Sequence, residues 1–394
     1  MTSAHLRGPS RVLLLACALA LPALPAAGQV GQADSIPFAE TVARLSEPGG
    51  YFDTDNLISN ETGYLHVLPT LSRIARPGGV YLGVGPDQNF SYIAAADPAL
   101  AIIVDIRRDN LLHHLFLKAL FQMSADRGEY LSRLTGRPAF GKVEMRGADA
   151  PAAPSARSFD AGSAVNLSAE ALVAEVDAIR VDPAYAADTR ARIRSLVASY
   201  GIPLRAEDLA TIDRYHGEFV RQGLDLRFRS TGRSPRPYYP TLRELVLATD
   251  LEGRRGSFLA AEDAYQKVKS LQARGRVLPV VGDLGGEGAL PAIATFLQER
   301  GLEVSAFYTS NVEFYLFPQG TFDRFARSVA SLPAQRDAVL IRSIFLSSFW
   351  GEHPLAVPGV MSVQVLERFS DFVSTYRSGG FPTYSDLATE NVFR

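Results

Sequence analysis

Between Arg76 and Asp105 the chain runs through an order of residues that few folds accommodate. An apolar run, Val80-Tyr81-Leu82, meets the glycine pair Gly83-Val84-Gly85, then a polar step Pro86-Asp87-Gln88-Asn89, then a second apolar run Ala101-Ile102-Ile103-Val104 closed by Asp105. The pattern predicts strand, tight turn, helix, strand, acid. Glycine lets a backbone turn sharply and approach a ligand where a Cβ would collide. An acid twenty residues after Gly85, at the end of a buried strand, is placed to accept hydrogen bonds from ribose hydroxyls. The third glycine of a dinucleotide fingerprint is missing, because Gln88 stands there. That counts against close approach of a pyrophosphate, and so against a nicotinamide cofactor.

The rest of the chain extends the alternation. Leu65, Leu68, Leu71 and Ile74 predict a helix starting near Thr62 and bent at Pro69. Leu112, Leu115, Phe116, Ala119, Leu120 and Met123 predict another, with Asp109 as its cap. Residues 148–164, rich in Ala, Pro, Ser and Gly and without apolar period, read as a flexible linker. A helical insertion follows over about 165–230, built from 168–179, 187–200 and 206–222. Strands at 277–283, 304–308 and 338–344, with helices at 289–300 and 322–332, resume the pattern. Five strands joined by helices predict an α/β fold, a mostly parallel sheet with helices on both faces. A ligand should then sit at the carboxyl ends of the strands, near the point where strand order reverses.

With 394 residues, 47% of them hydrophobic and 21% charged, the chain can bury a full core, read here as a single domain over 29–394. The net charge of −2 is mixed along the sequence, so a small-molecule ligand is expected and nucleic acid is not. Arg7 and Arg11 precede the apolar run Val12–Leu21 and then Ala26-Ala27-Gly28, the order of a removable export signal over residues 1–28. No transmembrane helix is expected in the mature chain, which is placed in the periplasm or envelope. Leu14-Leu15-Ala16-Cys17 also permits a lipid anchor at Cys17, the only cysteine. The oligomeric state is open.

Taken together, the Pro-Gly-Gly turn at 77–79, Gly83-Val84-Gly85, Asp105 and Gly282-Asp283-Leu284 resemble the class I S-adenosylmethionine-dependent methyltransferases, with their Rossmann-like sheet. The chain also resembles an uncharacterised group of bacterial exported or lipoprotein-like proteins with this core. The methyltransferase resemblance implies S-adenosylmethionine as cofactor. Gly83 and Gly85 would then face its methionine part, Asp105 its ribose and Asp283 its adenine, with Leu284 and Asp87 completing the set; Asn60-Glu61, close in sequence to the glycine turn, is placed either to reach the amino or carboxylate end of such a cofactor or to cap the helix that follows. It also implies substrate-orienting or catalytic roles for Tyr308, Ser310, Asn311 and Glu313 at the end of the fourth strand, with Glu313 or Asp283 as candidate general base. The Pro-Pro pair of amino-methylating members is missing from Tyr308-Thr309-Ser310-Asn311-Val312-Glu313, which disfavours methylation of a base or amide nitrogen.

Other chemistries have less in the sequence. Asp53-x-Asp55 has the spacing of a metal-binding pair, but Gly49-Gly50-Tyr51-Phe52 does not read as the buried strand it needs, so an Asp-rich turn is the simpler reading. His113 and His114 are adjacent on a helix and make a poor chelating pair; no metal site is expected. There is no Gly-x-Ser-x-Gly elbow and no phosphate loop. Export conflicts with the methyltransferase reading, because S-adenosylmethionine is made inside cells. The alternative is a non-catalytic envelope protein that uses the same scaffold for another ligand or partner.

Overall fold

A strand covered on both faces must be apolar at nearly every position, and the central segments of this chain are. The computed structural model describes residues 1–2, 36–54, 56–138, 167–230, 236–348 and 352–394. Its strands are β1 (Val80–Gly83), β2 (Leu100–Asp105), β3 (Val277–Val281), β4 (Val304–Ser310), β5 (Ala334–Phe345), β6 (Ser362–Arg368) and β7 (Val392–Phe393). Every residue of β1 and β3 is buried. They form one mixed sheet in the order β3-β2-β1-β4-β5-β6-β7. β1 to β5 are parallel, β6 runs antiparallel to β5, and β7 antiparallel to β6.

The five strands read from the sequence are the parallel ones. The antiparallel edge was not signalled, because Ser362-Val363-Gln364-Val365-Leu366-Glu367-Arg368 mixes apolar and polar residues although all but Arg368 are buried. β5 begins at Ala334, earlier than its apolar run suggests, since its first four residues are polar or partly exposed. Strand order reverses between β1 and β4: from β1 the chain moves outward to β2 and β3, then returns to β4 on the other side. The connections therefore diverge at the carboxyl ends of β1 and β4 and leave a crevice between them.

Two local expectations are corrected. Pro69 does not bend a helix but opens one, Leu68–Ile74, where its missing N–H costs nothing; residues 62–67 are turns. Asp109 is not a cap either, but lies in the first turn of the helix Arg108–Met123, whose N-cap is Arg107. The Asp105 side chain accepts a hydrogen bond from the Arg107 backbone N–H at 2.9 Å, which ends the strand and sets the helix start.

The helices Ala169–Ala178, Pro183–Ser199 and Ala206–Gln222 lie where the helical insertion is expected. Arg108–Met123 packs against β3 on one side and against Pro183–Ser199 and Ala206–Gln222 on the other, so every residue from Asn110 to Phe121 is buried. The described residues fall mainly in one compact unit, Pro37–Arg394, with Met1–Ile36 grouped apart. The expected export signal beyond Thr2, Cys17, Asp55 and the linker 148–164 lie outside the described residues. Among the described residues no helix is long and apolar enough to cross a membrane.

Candidate functional site

β1 ends at Gly83, and the turn after it is held by side chains. A Cβ on Gly83 would lie 2.0 Å from Asn89 Oδ1, so this glycine makes room for Asn89 and does not face a ligand. Fully buried Asn89 accepts from Tyr81 OH at 2.8 Å and donates to the carbonyls of Val84 and Pro86 at 2.8 and 2.7 Å. Gly85 has φ +79°, a conformation that favours glycine. His114 Nε2 donates to its carbonyl at 2.9 Å. Burial pulls that imidazole down to about 4, so it stays neutral at physiological pH.

Behind the turn lies Glu61, buried and, among the described residues, without a cation. Its Oε1 accepts from Tyr308 OH at 2.7 Å and from Ser310 Oγ at 2.6 Å. Its Oε2 accepts from Gln88 Nε2 at 2.9 Å and from Gln364 Nε2 at 2.6 Å. Burial pushes its carboxyl up, opposed by the hydrogen bonds from Ser310, Tyr308 and Gln88. Gln88, standing where a third glycine would be, therefore serves as a fixed donor, and it also bonds Tyr308 OH.

At the end of β2, Asp105 is gripped by Arg107 through Nε to Oδ1 at 3.0 Å and Nη2 to Oδ2 at 2.8 Å. Arg107 Nη1 also donates to Thr54 O at 2.7 Å, tying down the segment ahead of Glu61. After β3, Asp283 Oδ1 accepts from the Gly285 N–H at 2.8 Å. Glu47 reaches in from the N-terminal segment and accepts from the Asp283 N–H at 2.6 Å. A Cβ on Gly288 would fall 1.7 Å from Glu47 Oε2, so the glycines of this loop admit a side chain rather than lying bare. At the end of β4, Ser310 has φ +55° and the pairing with β5 shifts register between Tyr308 and Ser310.

These strand ends enclose one cleft of about 880 Å³. Of the residues read from the sequence, Glu61, Gly85, Asp105, Asp283, Leu284, Tyr308 and Asn311 line it. Apolar Val104, Ile106, Val312 and Leu316 alternate with these, and Tyr51, Phe52 and Tyr315 complete the wall. Phe52 and Tyr315 meet edge to face at 5.0 Å, and Tyr51 is 78% exposed. Ser310, expected at the strand-four end, lines the cleft too, as do Arg107, Gln88 and Asn56, which were not singled out as ligand-binding residues. Only Arg107 left a local trace, a basic residue two positions after the strand-two acid.

Three sequence candidates fall elsewhere. Gly83 is packed beneath Asn89. Glu313 is buried, accepting from Thr309 Oγ1 at 2.8 Å and pairing with Arg342 Nε at 3.0 Å, and it does not line the cleft. Asp87 borders a separate, small crevice beside Tyr64, Ser91 and Ser257. Burial pushes the Asp87 carboxyl up to about 7, against the pull of the backbone N–H groups of residues 87 and 88. Because the native pKa exceeds the unfolded one, the native state holds the extra proton between about pH 4 and 7, and stability falls as pH rises through that window. Asp87→Asn is expected to flatten this slope, measured as the urea midpoint against pH. An unchanged slope would mean that Asp87 is solvated. Among the described residues no group of His, Cys, Asp and Glu could hold a metal ion.

A sequence profile described as a domain of unknown function, DUF7790, matches residues 57–153 and 205–374. The chain belongs to this family. The match takes in the cleft residues from Glu61 to Gln319 and leaves out 154–204, so the helices Ala169–Ala178 and Pro183–Ser199 lie outside the family's common core. Tyr51, Phe52 and Asn56 also precede the matched region. No curated protein matches the chain.

Proposed function

We propose that the cleft holds S-adenosylmethionine and that the protein is a methyltransferase-like enzyme on a Rossmann-like sheet. The observation that carries this reading is the convergence of Gly85, Asp105 and Asp283, from three different strand ends, in one cleft where strand order reverses. The parallel strands follow the order 3-2-1-4-5 of nucleotide-binding sheets, which bind ligands in this crevice.

The residues fit the group. A carboxylate offers about four acceptor sites, so Asp105, which accepts three hydrogen bonds from Arg107, keeps one acceptor site for the ribose hydroxyls. Ile106, Val104 and Leu284 supply apolar surface for a purine beside Asp283. Glu61, whose acceptor sites are taken by Tyr308, Ser310, Gln88 and Gln364, would act on the ammonium of the methionine part as a longer-range negative charge, not as a direct partner. Gln88 at the third glycine position supports a single nucleoside over a dinucleotide. The bound cofactor supplies an activated methyl group; the protein's task is to orient an acceptor and exclude water. Tyr308 and Asn311 border the place where the acceptor would lie, and Tyr51, Phe52 and Tyr315 cover the apolar side.

The test is calorimetric titration of the purified protein with S-adenosylmethionine, S-adenosylhomocysteine and NAD in parallel. Saturable micromolar binding of the first two and none of NAD is expected. Binding of NAD alone, or of none, would overturn the reading.

A further inference from the structure

Ser310 stands at a sharp passage from β4 into the helix Val312–Gln319, with one residue between strand and helix. Its φ of +55° is unusual for a residue carrying a Cβ, and the strand is irregular at this point. Strain of this kind persists only where the surroundings enforce it, and it concentrates at functional sites. A strained strand-to-helix turn is also how a nucleophilic serine is presented at the rim of an α/β sheet. No glycines flank Ser310 to announce it; the neighbours two positions away are Tyr308 and Val312.

The groups around its oxygen complete the arrangement. Ser310 Oγ donates to Glu61 Oε1 at 2.6 Å and lies 3.4 Å from Asn311 Oδ1. Glu61 is 1% exposed and meets no cation among the described residues, and Gln88 and Gln364 fix its other oxygen. Nucleophile, base and orienting groups are thus linked in sequence, as nucleophilic catalysis needs. Ser310 lines the open cleft, so a substrate can reach it. Asn60 and Asn311, whose amides are of the type that stabilises an oxyanion, also line the cleft.

We infer that Ser310 is a nucleophile with Glu61 as its base, giving the cleft an acyl-transfer activity toward carboxylic esters. In the first step the Ser310 Oγ–carbon bond forms, the Ser310 proton passes to Glu61 Oε1, and the ester C–O bond breaks as the leaving oxygen takes that proton. Water then adds to the acyl carbon, giving its proton to Glu61. The Oγ–carbon bond breaks and the proton returns to Oγ, releasing the acid.

The inference does not rest on the adenosyl reading, and its test needs no adenosyl ligand. The full chain is treated with a fluorophosphonate probe, whose P–F bond is replaced by an Oγ–P bond with loss of fluoride, and the labelled peptide is identified by mass spectrometry. An adduct on Ser310 is expected. Ser310→Gly accepts the left-handed backbone without a Cβ penalty, which offsets part of the lost hydrogen bond to Glu61, so it should stay folded and yet take no label. Glu61→Gln should slow labelling roughly 100-fold or more. The new side chain fits if the Gln88 and Gln364 carboxamides turn over to present their oxygens, and Gln364 Oε1 has no partner now. No adduct, an adduct that persists in Ser310→Gly, or labelling indifferent to Glu61→Gln would each overturn the proposal.

Discussion

Arg342→Met is expected to destabilise the protein by about 3–5 kcal/mol, the cost of removing one member of a buried ionic cluster. Arg342 is 1% exposed, pairs with Glu313 at 3.0 Å and with Glu367 at 2.5 Å, and lies over the Phe372 ring at 5.4 Å. Burial pulls its guanidinium down, and Glu367 and Glu313 together push it above its ordinary value. Without it two carboxylates remain in the interior with no counter-charge. Burial already pushes the Glu367 carboxyl up, and Arg342 is what opposes that rise. In the variant the Glu367 carboxyl, with Arg342 no longer opposing its burial, should titrate higher still, so stability should recover as pH is lowered and be lost as it rises. Urea unfolding at pH 5 and pH 8 reads both effects. A loss below about 1 kcal/mol at pH 8 would mean that the cluster is solvated and unimportant. The triple variant Glu313→Gln, Arg342→Met, Glu367→Gln should regain much of the loss, because no charge is left unpaired. The cluster bears on the cleft as well: Glu313 sits in the first turn after Ser310 and Asn311, so Arg342 anchors the β4 turn from behind.

The second large effect concerns the strand-two acid. One hydrogen bond from a ribose to the remaining acceptor site of a charged Asp105 is worth about 1.5–3 kcal/mol, so losing it should weaken adenosyl binding by about 10- to 100-fold. Asp105→Ala, the obvious substitution, confounds this with folding. Arg107, with its side chain 7% exposed, would keep only the Thr54 carbonyl as partner, and an orphaned buried cation costs about 3–5 kcal/mol. The paired change Asp105→Asn with Arg107→Met removes both charges. It should melt near the wild type while binding weakens by that factor. Retained affinity in the folded double variant would remove Asp105 from the ligand contacts.

The local part of this architecture was legible in the sequence and the long-range part was not. Gly85, Asp105 and Asp283 announce themselves because each ends an apolar run, and the fold brings all three to one cleft. What surrounds Glu61 could not be read, since Gln364 and Ser310 approach it from 303 and 249 residues away. Glu313 looked available because it follows a strand, but Arg342 on the neighbouring strand claims it. Gly83 looked like a ligand-facing glycine because only the packing of Asn89 against Tyr81 explains it otherwise. The strained backbone at Ser310 leaves no mark in residue type, and the antiparallel edge is hidden by Gln364 and Glu367, polar residues buried by their partners.

The most direct measurement is a crystal structure of the protein grown with saturating S-adenosylhomocysteine. The account predicts its purine between Ile106 and Leu284 beside Asp283, its ribose hydroxyls on Asp105, and its ammonium toward Glu61. An empty cleft at saturation, or the ligand bound elsewhere, would contradict it.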